Sequence, residues 1–207
     1  MKSLIFATGN PHKVEEIQNR LHDWPVKLLS LKDFPLVTLH EEGETLRENA
    51  LQKARTVAGA CGEWALSDDT GLFVAALDGR PGIFSARYAG PKATFTENVD
   101  KLLREMEGVP SEKRGAYFEC VMALAHPDGR EVTVRGTIDG MISEKQRGEA
   151  GFGYDPVFYI PSAKCTFAEM SLAEKNRISH RARAFEKMRI VLREIENKGN
   201  AFGVHGA

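Results

Sequence analysis

Apolar runs of strand length alternate with segments of helical spacing in the first third of the chain. The run 2–7 is short and apolar and ends at Thr-Gly-Asn-Pro, and Val14, Ile17 and Leu21 then recur at helical spacing. The same reasoning predicts further strands at 26–31 and 64–67 and a helix at 45–60. Strands that alternate with helices predict an α/β fold with a mixed or partly parallel sheet.

The middle of the chain differs, because two long β-rich runs follow one another directly. Residues 116–125 and 131–138 are joined by His-Pro-Asp-Gly, a hairpin signal, so we predict a two-stranded extension that forms a β-rich second lobe at roughly 110–145 within a single domain, 1–207. The other predicted elements are a helix at 96–106, a Gly-rich loop at 147–156, a helix opened by a Ser171–Glu174 capping box, a helix capped by Ser179 that ends near residue 196, and a frayed tail at 198–207.

Composition and charge narrow the classes of function. The 207 residues are 42% hydrophobic with a formal net charge of -1, which suits a globular domain and removes the whole-protein electrostatic argument for binding nucleic acid polymers. Cys61, Cys120 and Cys165 form neither a disulfide framework nor a zinc-finger spacing, so we expect reduced thiols. The first apolar run is too short for a signal peptide or a membrane span, so we expect a cytoplasmic protein with no membrane partner.

The loop TGNPHK, residues 8–13, has the composition of an anion site. Asn10 suits an N-cap and Pro11 the first helical position, so the positive end of the helix dipole faces the loop. Lys13 in the first turn opposes that dipole, which is useful if a phosphate binds there. A well-capped helix with a surface lysine is the alternative.

The acidic loop Glu41-Glu42-Gly43-Glu44 precedes the helix predicted at 45–60. Mg²⁺ usually takes only one or two carboxylates from protein, so one of these glutamates can hold a metal ion. A solvated acidic cluster at a helix N-terminus is the simpler alternative, and a lone lysine such as Lys53 on that helix is usually solvated.

The stretch ALSDDTGLF, residues 65–73, sets Asp68 beside Asp69 at the end of an apolar run. Their mutual repulsion predicts either a cation or lysines nearby or a shifted pKa. In an extended chain the two side chains point to opposite faces, so that one can be structural and the other catalytic. Asp-Asp-Thr-Gly is also good turn chemistry, and on this stretch alone a turn is the favoured interpretation.

Two later segments carry aromatic rings and cations. In GEAGFGYDP, residues 148–156, glycines allow the backbone close to a flat ligand on which Phe152 or Tyr154 stacks, although an ordinary loop with both rings in the core is an equal alternative. The segment EKNRISHR, residues 174–181, gathers side-chain donors at a helix start, and its alternative is a solvated basic face.

Six segments stand in the order found in the inosine triphosphate pyrophosphatase family, which the chain resembles over nearly its whole length: TGNPHK, GETLRENALQKA, SDDTGL, PGIFSARYAG, GFGYDPVF and EKNRISHR. The resemblance implies a Mg²⁺-dependent hydrolase that cleanses the nucleotide pool by splitting ITP, dITP and XTP into the monophosphate and pyrophosphate, commonly as a homodimer. It also implies an elongated mixed β-sheet with flanking helices and two lobes around a central cleft. One departure is Leu46, where the family usually has Phe, and we expect it to affect packing more than chemistry.

The resemblance also implies roles for single residues. Asp69 is the expected general base and a magnesium contact, Glu41 the second metal ligand in preference to Glu42, and Asp68 a supporting group. The implied substrate-binding residues are Thr8, Gly9, Asn10, Pro11, His12, Lys13, Lys53, Thr70, Phe152, Gly153, Tyr154, Asp155, Lys175, His180 and Arg181.

Base choice then depends on hydrogen-bond donors. Hypoxanthine and xanthine present an accepting keto oxygen at C6, where adenine presents an amino donor. Donors from Lys175, His180 and Arg181 suit the keto bases, and leaving buried donors unpaired costs on the order of 1–3 kcal/mol each. Phe152 is expected to stack on the base while residues 152–155 wrap its edge.

Three rival functions remain at this point. A pyrophosphatase for modified pyrimidines would use the same chemistry, and a nucleotide sensor would bind without turnover, although binding alone needs fewer carboxylates than Glu41, Asp68 and Asp69 provide. An RNA-binding module is disfavoured by the near-neutral net charge.

Overall fold

The structure is a computed structural model that describes residues 3–21, 24, 26–34, 37–39 and 41–201, with side chains to residue 197. Its helices are α1 (Pro11–Arg20), α2 (Leu46–Cys61), α3 (Phe95–Glu105), α4 (Leu172–Ile178) and α5 (His180–Ala201). Its strands are β1 (Ser3–Phe6), β2 (Lys27–Ser30), β3 (Ala65–Val74), β4 (Pro81–Gly82), β5 (Gly115–Ala125), β6 (Glu131–Ile142), β7 (Phe158–Ile160) and β8 (Cys165–Thr166). The alternation of strands and helices confirms the predicted α/β class.

The strands form one mixed sheet, as predicted. Their order is β2-β1-β3-β5-β6-β7-β8, with β4 beside β3. β1 pairs in parallel with both β2 and β3, so that Ile5 lies opposite Leu29 on one side and Ala65 on the other. β7 pairs antiparallel with β6 and with β8. The apolar run of β1 is buried from Leu4 onward, as expected for a central parallel strand.

The chain divides into two compact units, each built from separate segments. The first unit contains Met1–Asp69, Val121–Arg135 and Arg183–Ala207, and the second contains Thr70–Cys120 and Gly136–Ala182. The boundaries fall inside strands β3, β5 and β6 and inside helix α5.

Helix α2 packs against the core of the first unit. Ala54 and Val57 on α2 are completely buried. Thr45 caps the helix through a capping box, because its side chain accepts from the N–H of Glu48 while the Glu48 carboxylate accepts from the N–H of Thr45. The helix therefore begins directly after the acidic loop, whose Gly43 N–H donates to Asn49 on α2.

The second unit is built on an aromatic core. The ring of Phe118 lies 4.6 Å from that of Phe158 and 6.3 Å from that of Phe167, measured between centroids. The buried face of α3, with Val99 and Leu102, and Tyr154 from the glycine-rich loop belong to the same core. That loop is therefore anchored at its centre.

Most predicted elements are confirmed within a few residues, but the turn favoured at Asp-Asp-Thr-Gly is wrong. β3 continues through Asp68, Asp69 and Thr70 to Val74. The extension is explained by contacts that local sequence does not show, because β3 pairs with β4 and a Cβ on Gly71 would lie 2.7 Å from the carbonyl oxygen of Gly82. The short strands β4, β7 and β8 were not predicted.

The C-terminal part of the chain follows the predicted caps. Ser179 Oγ accepts from the N–H of Ala182 (3.1 Å) at the start of α5, which extends past the predicted end near residue 196 to Ala201. The predicted frayed tail thus begins inside this helix, and its last part, 202–207, lies outside the described residues. All three cysteines are free thiols, as predicted. Within the described ranges, the structure contains no helix that is both long and apolar enough to span a membrane.

Candidate active site

The loop before α1 is held by its own side chains. Asn10 is the N-cap, as predicted, and its Oδ1 accepts a hydrogen bond from the N–H of His12 (3.0 Å). Thr8 Oγ1 accepts in turn from the N–H of Asn10 (3.2 Å), and Pro11 starts the helix. Gly9, Pro11 and His12 are exposed. The positive end of the α1 dipole therefore faces an accessible loop, an arrangement that favours an anion.

Lys13 reaches from the first turn of α1 to β3. Its Nζ lies 3.0 Å from Oδ1 of Asp68, whose side chain is completely buried. A buried carboxylate is costly unless a cation or several donors satisfy it. The sequence predicted a cation or lysines near the paired aspartates, and Lys13 lies at Asp68.

Lys53 joins the other two carboxylates of this region. Its Nζ lies 2.5 Å from Oε1 of Glu41 and 3.1 Å from Oδ1 of Asp69, and only 4% of the residue is exposed. The sequence-based interpretation of Lys53 as a solvated side chain is therefore wrong, since α2 packs its buried face with Lys53 toward β3. We call Glu41, Asp68, Asp69, Lys13 and Lys53 the carboxylate–lysine cluster.

The protonation of the cluster follows from burial and charge together. Burial acts to lower the pKa of Lys53, but the charges of Asp69, Glu41 and Asp68 outweigh it and raise that pKa above its usual value. Burial also raises the pKa of Asp69, against the opposing charges of Lys53 and Lys13. A carboxylate with a raised pKa is a better base toward water than an ordinary aspartate.

Asn49 is a member of this region that sequence reasoning did not single out. It is 1% exposed, its Oδ1 accepts from the N–H of Gly43 (2.8 Å), and its Nδ2 donates to Oδ2 of Asp69 (3.3 Å). One amide thus connects the acidic loop to the carboxylate of Asp69. The signal in the sequence was its position four residues before Lys53, which places both side chains on one face of α2.

The donor set of the cluster fits one divalent cation. Glu41 and Asp69 both approach the same Nζ, and two carboxylates are as many as Mg²⁺ usually takes from protein, with water and phosphate oxygens completing its shell. In the described part of the chain, no group of three or more His, Cys, Asp or Glu side chains is arranged for a metal ion. Both Glu41 and Glu42 are exposed, but they differ in their contacts: the carboxylate of Glu41 contacts Nζ of Lys53, whereas the backbone N–H of Glu42 donates to Gln52 (3.3 Å).

The glycine-rich loop of the second unit is organised around Asp155. Its Oδ2 accepts from Nζ of Lys175 (2.6 Å) and from the N–H of Phe152 (2.8 Å), and each side chain of the ion pair is 4% exposed. Gly151 has a φ of +77°, and a Cβ there would overlap the Asp155 carboxylate. The ion pair and the glycine together fix the backbone that carries Phe152.

Two cations face the ring of Phe152. Nζ of Lys175 lies 4.5 Å from the ring centroid and Cζ of Arg181 lies 5.7 Å from it. Arg181 is 2% exposed and donates from Nη2 to Oγ1 of Thr70 (3.1 Å). The alternative of a solvated basic face is wrong for Lys175 and Arg181. We call Thr70, Phe152, Asp155, Lys175 and Arg181 the aromatic–cation cluster.

Other residues expected at the base lie deeper. The hydroxyl of Tyr154 donates to the carbonyl oxygen of Ser85 (2.9 Å), and the residue is 5% exposed. The ring of His180 is buried and stacks on Phe118, with centroids 4.6 Å apart. Gly153 has a φ of +63° between the two aromatic residues of the loop. Of those two rings, Phe152 is therefore the one that stays partly exposed and suits stacking.

In this α/β protein, lysines lie beside carboxylates that fit a divalent cation. Such an arrangement is typical of enzymes that act on phosphate groups. Within that class the chain belongs to the Ham1 family, whose sequence profile matches residues 4–191. This match confirms the family resemblance carried by the six segments.

Relatives with known names or structures cover almost the same length. The chain is 45% identical over 197 residues to a dITP/XTP pyrophosphatase of Thermoanaerobacter pseudethanolicus, covering 94% of this chain and 99% of the relative. It is 50% identical over 185 residues to a dITP/XTP pyrophosphatase of Thermus thermophilus, covering 89% of each. A solved HAM1 protein from Coxiella burnetii superposes with a TM-score of 0.85 at 41% identity, covering 94% of this chain and all of that one.

Proposed function

We infer that this chain is a nucleoside triphosphate pyrophosphatase that hydrolyses the noncanonical purine nucleotides dITP, ITP and XTP to the monophosphate and pyrophosphate. The named activity of relatives at 45–50% identity over most of the chain supports the reaction. The observation that carries it within this molecule is the contact of Lys53 with both Glu41 and Asp69, because it joins a phosphate-binding cation to two carboxylates.

Water attacks the α-phosphorus in the proposed reaction. The new bond joins the water oxygen to the α-phosphorus, the bond from that phosphorus to the bridging oxygen breaks, and pyrophosphate leaves with the bonding electrons. Asp69 accepts the proton of the water, a role that its raised pKa favours. No covalent intermediate with the protein is needed, so positioning and charge carry the catalysis.

The phosphate end of the substrate is assigned to the carboxylate–lysine cluster and the loop before α1. Lys13 and Lys53 pair with phosphate oxygens, and the loop from Thr8 to His12 contributes the positive end of the α1 dipole. Glu41 and Asp69 would hold a Mg²⁺ ion, which when bound neutralises negative charge on the triphosphate. Asp68 stays with Lys13 as the supporting carboxylate.

The base end is assigned to the aromatic–cation cluster. Phe152 stacks on the purine, and donors from Lys175 and Arg181, with His180 behind them, favour a keto oxygen at C6 over an amino group. Thr70 orients the Arg181 guanidinium through their hydrogen bond. Gly153, Tyr154 and Asp155 shape the loop that carries the aromatic ring.

The remaining proposals concern the oligomeric state, location and partners of the enzyme. We propose a homodimer in the cytoplasm that acts on free nucleotides and has no nucleic acid polymer or membrane as partner. The family resemblance supports the dimer, and the net charge of -1 supports the exclusion of polymers. Light scattering of the purified chain at several concentrations tests the dimer, which a monomer mass throughout would contradict.

Product analysis tests the function most simply. The purified chain is incubated with Mg²⁺ and dITP, and in parallel with dGTP, dATP and a modified pyrimidine triphosphate. We expect pyrophosphate from dITP and little from the others. Release of single phosphates, binding of dITP without turnover, or equal turnover of all four nucleotides contradicts the proposed function.

A further inference from the structure

An exposed phenylalanine at the start of α3 has no role in the functions assigned so far. Phe95 is the first residue of this helix and is 45% exposed. The cap of the helix does not depend on it, because the side chain of Thr94 accepts from the N–H of Glu97 and the Glu97 carboxylate accepts from the N–H of Thr94. A large apolar side chain at this position therefore needs another explanation.

One explanation is packing within the helix. Phe95 lies three and four residues before Asn98 and Val99, so it extends the buried face of α3 toward its N-terminal end. That face is already buried at Val99 and Leu102, whereas nearly half of Phe95 remains exposed. Packing along α3 thus accounts for only part of the side chain.

The second neighbour of Phe95 is the ring of Phe152. Their centroids are 6.0 Å apart and the ring planes are inclined by 46°, which is an aromatic contact of ordinary geometry. Phe152 is also the ring that Lys175 and Arg181 face. Two partly exposed aromatic rings thus adjoin at the cations assigned to the purine.

We propose that Phe95 is a base-binding residue that extends the aromatic surface of Phe152 under the purine. The proposal rests on the proposed function, since it assigns Phe152 to the same base. A flat base that stacks on Phe152 gains apolar contact from the adjoining ring without any hydrogen bond. Phe95 therefore contributes to affinity for purines in general, whereas Lys175 and Arg181 select among them.

The chain offers a matched control. Phe84 is a second exposed phenylalanine of the same unit, 53% exposed, and its ring partner is the Arg87 guanidinium, 5.1 Å from the centroid. Phe84→Ala and Phe95→Ala thus remove the same side chain from similarly exposed positions. Only the second removes a neighbour of Phe152.

The test measures binding of inosine monophosphate by calorimetry, with tripolyphosphate as a probe that lacks a base. We expect Phe95→Ala to weaken inosine monophosphate binding about tenfold, the effect of losing one aromatic partner of a base, while tripolyphosphate binding and the Phe84→Ala variant match wild type. Phe95→Tyr restores binding because it keeps the ring. Phe95→Leu does not restore it, although it fills the helix face and keeps the melting temperature.

Each other outcome overturns the proposal. Equal inosine monophosphate binding by wild type and Phe95→Ala assigns the residue to helix packing, as does full rescue by Leu. An equal loss of tripolyphosphate binding assigns the effect to general destabilisation, and wild type that does not bind inosine monophosphate removes the base site itself. Because binding is measured without turnover, intact base binding together with absent pyrophosphate release overturns the catalytic function and leaves the role of Phe95 standing.

Discussion

The carboxylate–lysine cluster and the aromatic–cation cluster both bury charge, but they balance it with opposite sign. The first, as defined, contains the three carboxylates Glu41, Asp68 and Asp69 and two lysines. In the second, the single carboxylate of Asp155 faces Lys175, while Arg181 is a further buried cation. The excess negative charge of the first cluster favours binding of a cation. The excess positive charge of the second favours binding of a hydrogen-bond acceptor such as a keto oxygen.

This difference in charge suggests that the two clusters serve different steps, hydrolysis and base recognition. Under the proposed function, the first cluster holds groups whose charge changes or is neutralised during hydrolysis, so we expect its variants to alter turnover. The second holds fixed donors against an aromatic ring, so we expect its variants to alter affinity and choice of base. Separate losses in kcat and in KM are the signature that distinguishes the two.

The largest expected effect is at Asp69. Asp69→Asn keeps the shape of the side chain and its contact with Asn49 but removes the base, and we expect kcat for dITP to fall by about 10³-fold or more. Pyrophosphate release measures it, with Asp139→Asn, an exposed aspartate on β6, as the control that keeps full activity. Turnover of Asp69→Asn at the wild-type rate would remove Asp69 from the base role.

A smaller effect is expected at Gly151, which lies against Asp155 of the aromatic–cation cluster. Gly151→Ala places a Cβ into the Asp155 carboxylate, so the Lys175 pair and the backbone of Phe152 must shift, and we expect KM for dITP to rise about tenfold with kcat nearly unchanged. Gly153→Ala is the matched control, because it also has a positive φ, +63°, but meets no atom within 4 Å. Equal effects of the two variants would show that backbone strain, rather than Asp155, determines the result.

The smallest effect concerns a group outside both clusters. Burial, together with the hydrogen bond that Tyr88 donates to Glu105 (2.5 Å), raises the pKa of Tyr88 to about 12 from 10.0. Because the folded state keeps a proton that the unfolded state loses, the free energy of unfolding should decline as the pH rises from about 10 to about 12.

Tyr88→Phe tests this assignment. The variant should show a shallower alkaline decline in denaturant unfolding, with kcat and KM for dITP at neutral pH unchanged. An identical decline in both proteins would mean that other groups, such as the buried Tyr154, account for it all, and a changed KM would place Tyr88 in the base site.

Local sequence pattern identified the elements but not the partners of charged side chains. The N-cap at Asn10, the capping box at Ser171 and the hairpin at 126–130 follow from residues close in sequence, and the structure has each of them. Lys53 and Asp69 are sixteen residues apart, and their contact exists because α2 packs beside β3. No local rule distinguishes such a lysine from a solvated one.

The same limit explains the error at β3. Asp-Asp-Thr-Gly has the composition of a turn, and only the pairing of β3 with β4 and the lysines beside both aspartates make an extended strand the better solution. The interpretation that the aspartates require nearby lysines was correct because it rested on charge rather than on propensity. Asn49 was missed because its role depends on α2 bringing it to both Gly43 of the acidic loop and Asp69 on β3.

The central claim is that the two clusters separate chemistry from base choice. The most direct test is the ratio of kcat/KM for dITP to that for dATP in wild type, in Asp69→Glu, and in a double variant. The double variant, Asp155→Asn with Lys175→Gln, replaces the buried ion pair by two amides. Arg181 stays in place in the double variant. We predict that Asp69→Glu lowers both rates and keeps the ratio, while the double variant lowers the ratio by at least about tenfold. A ratio that changes with Asp69→Glu, or that survives the double variant, would contradict the account.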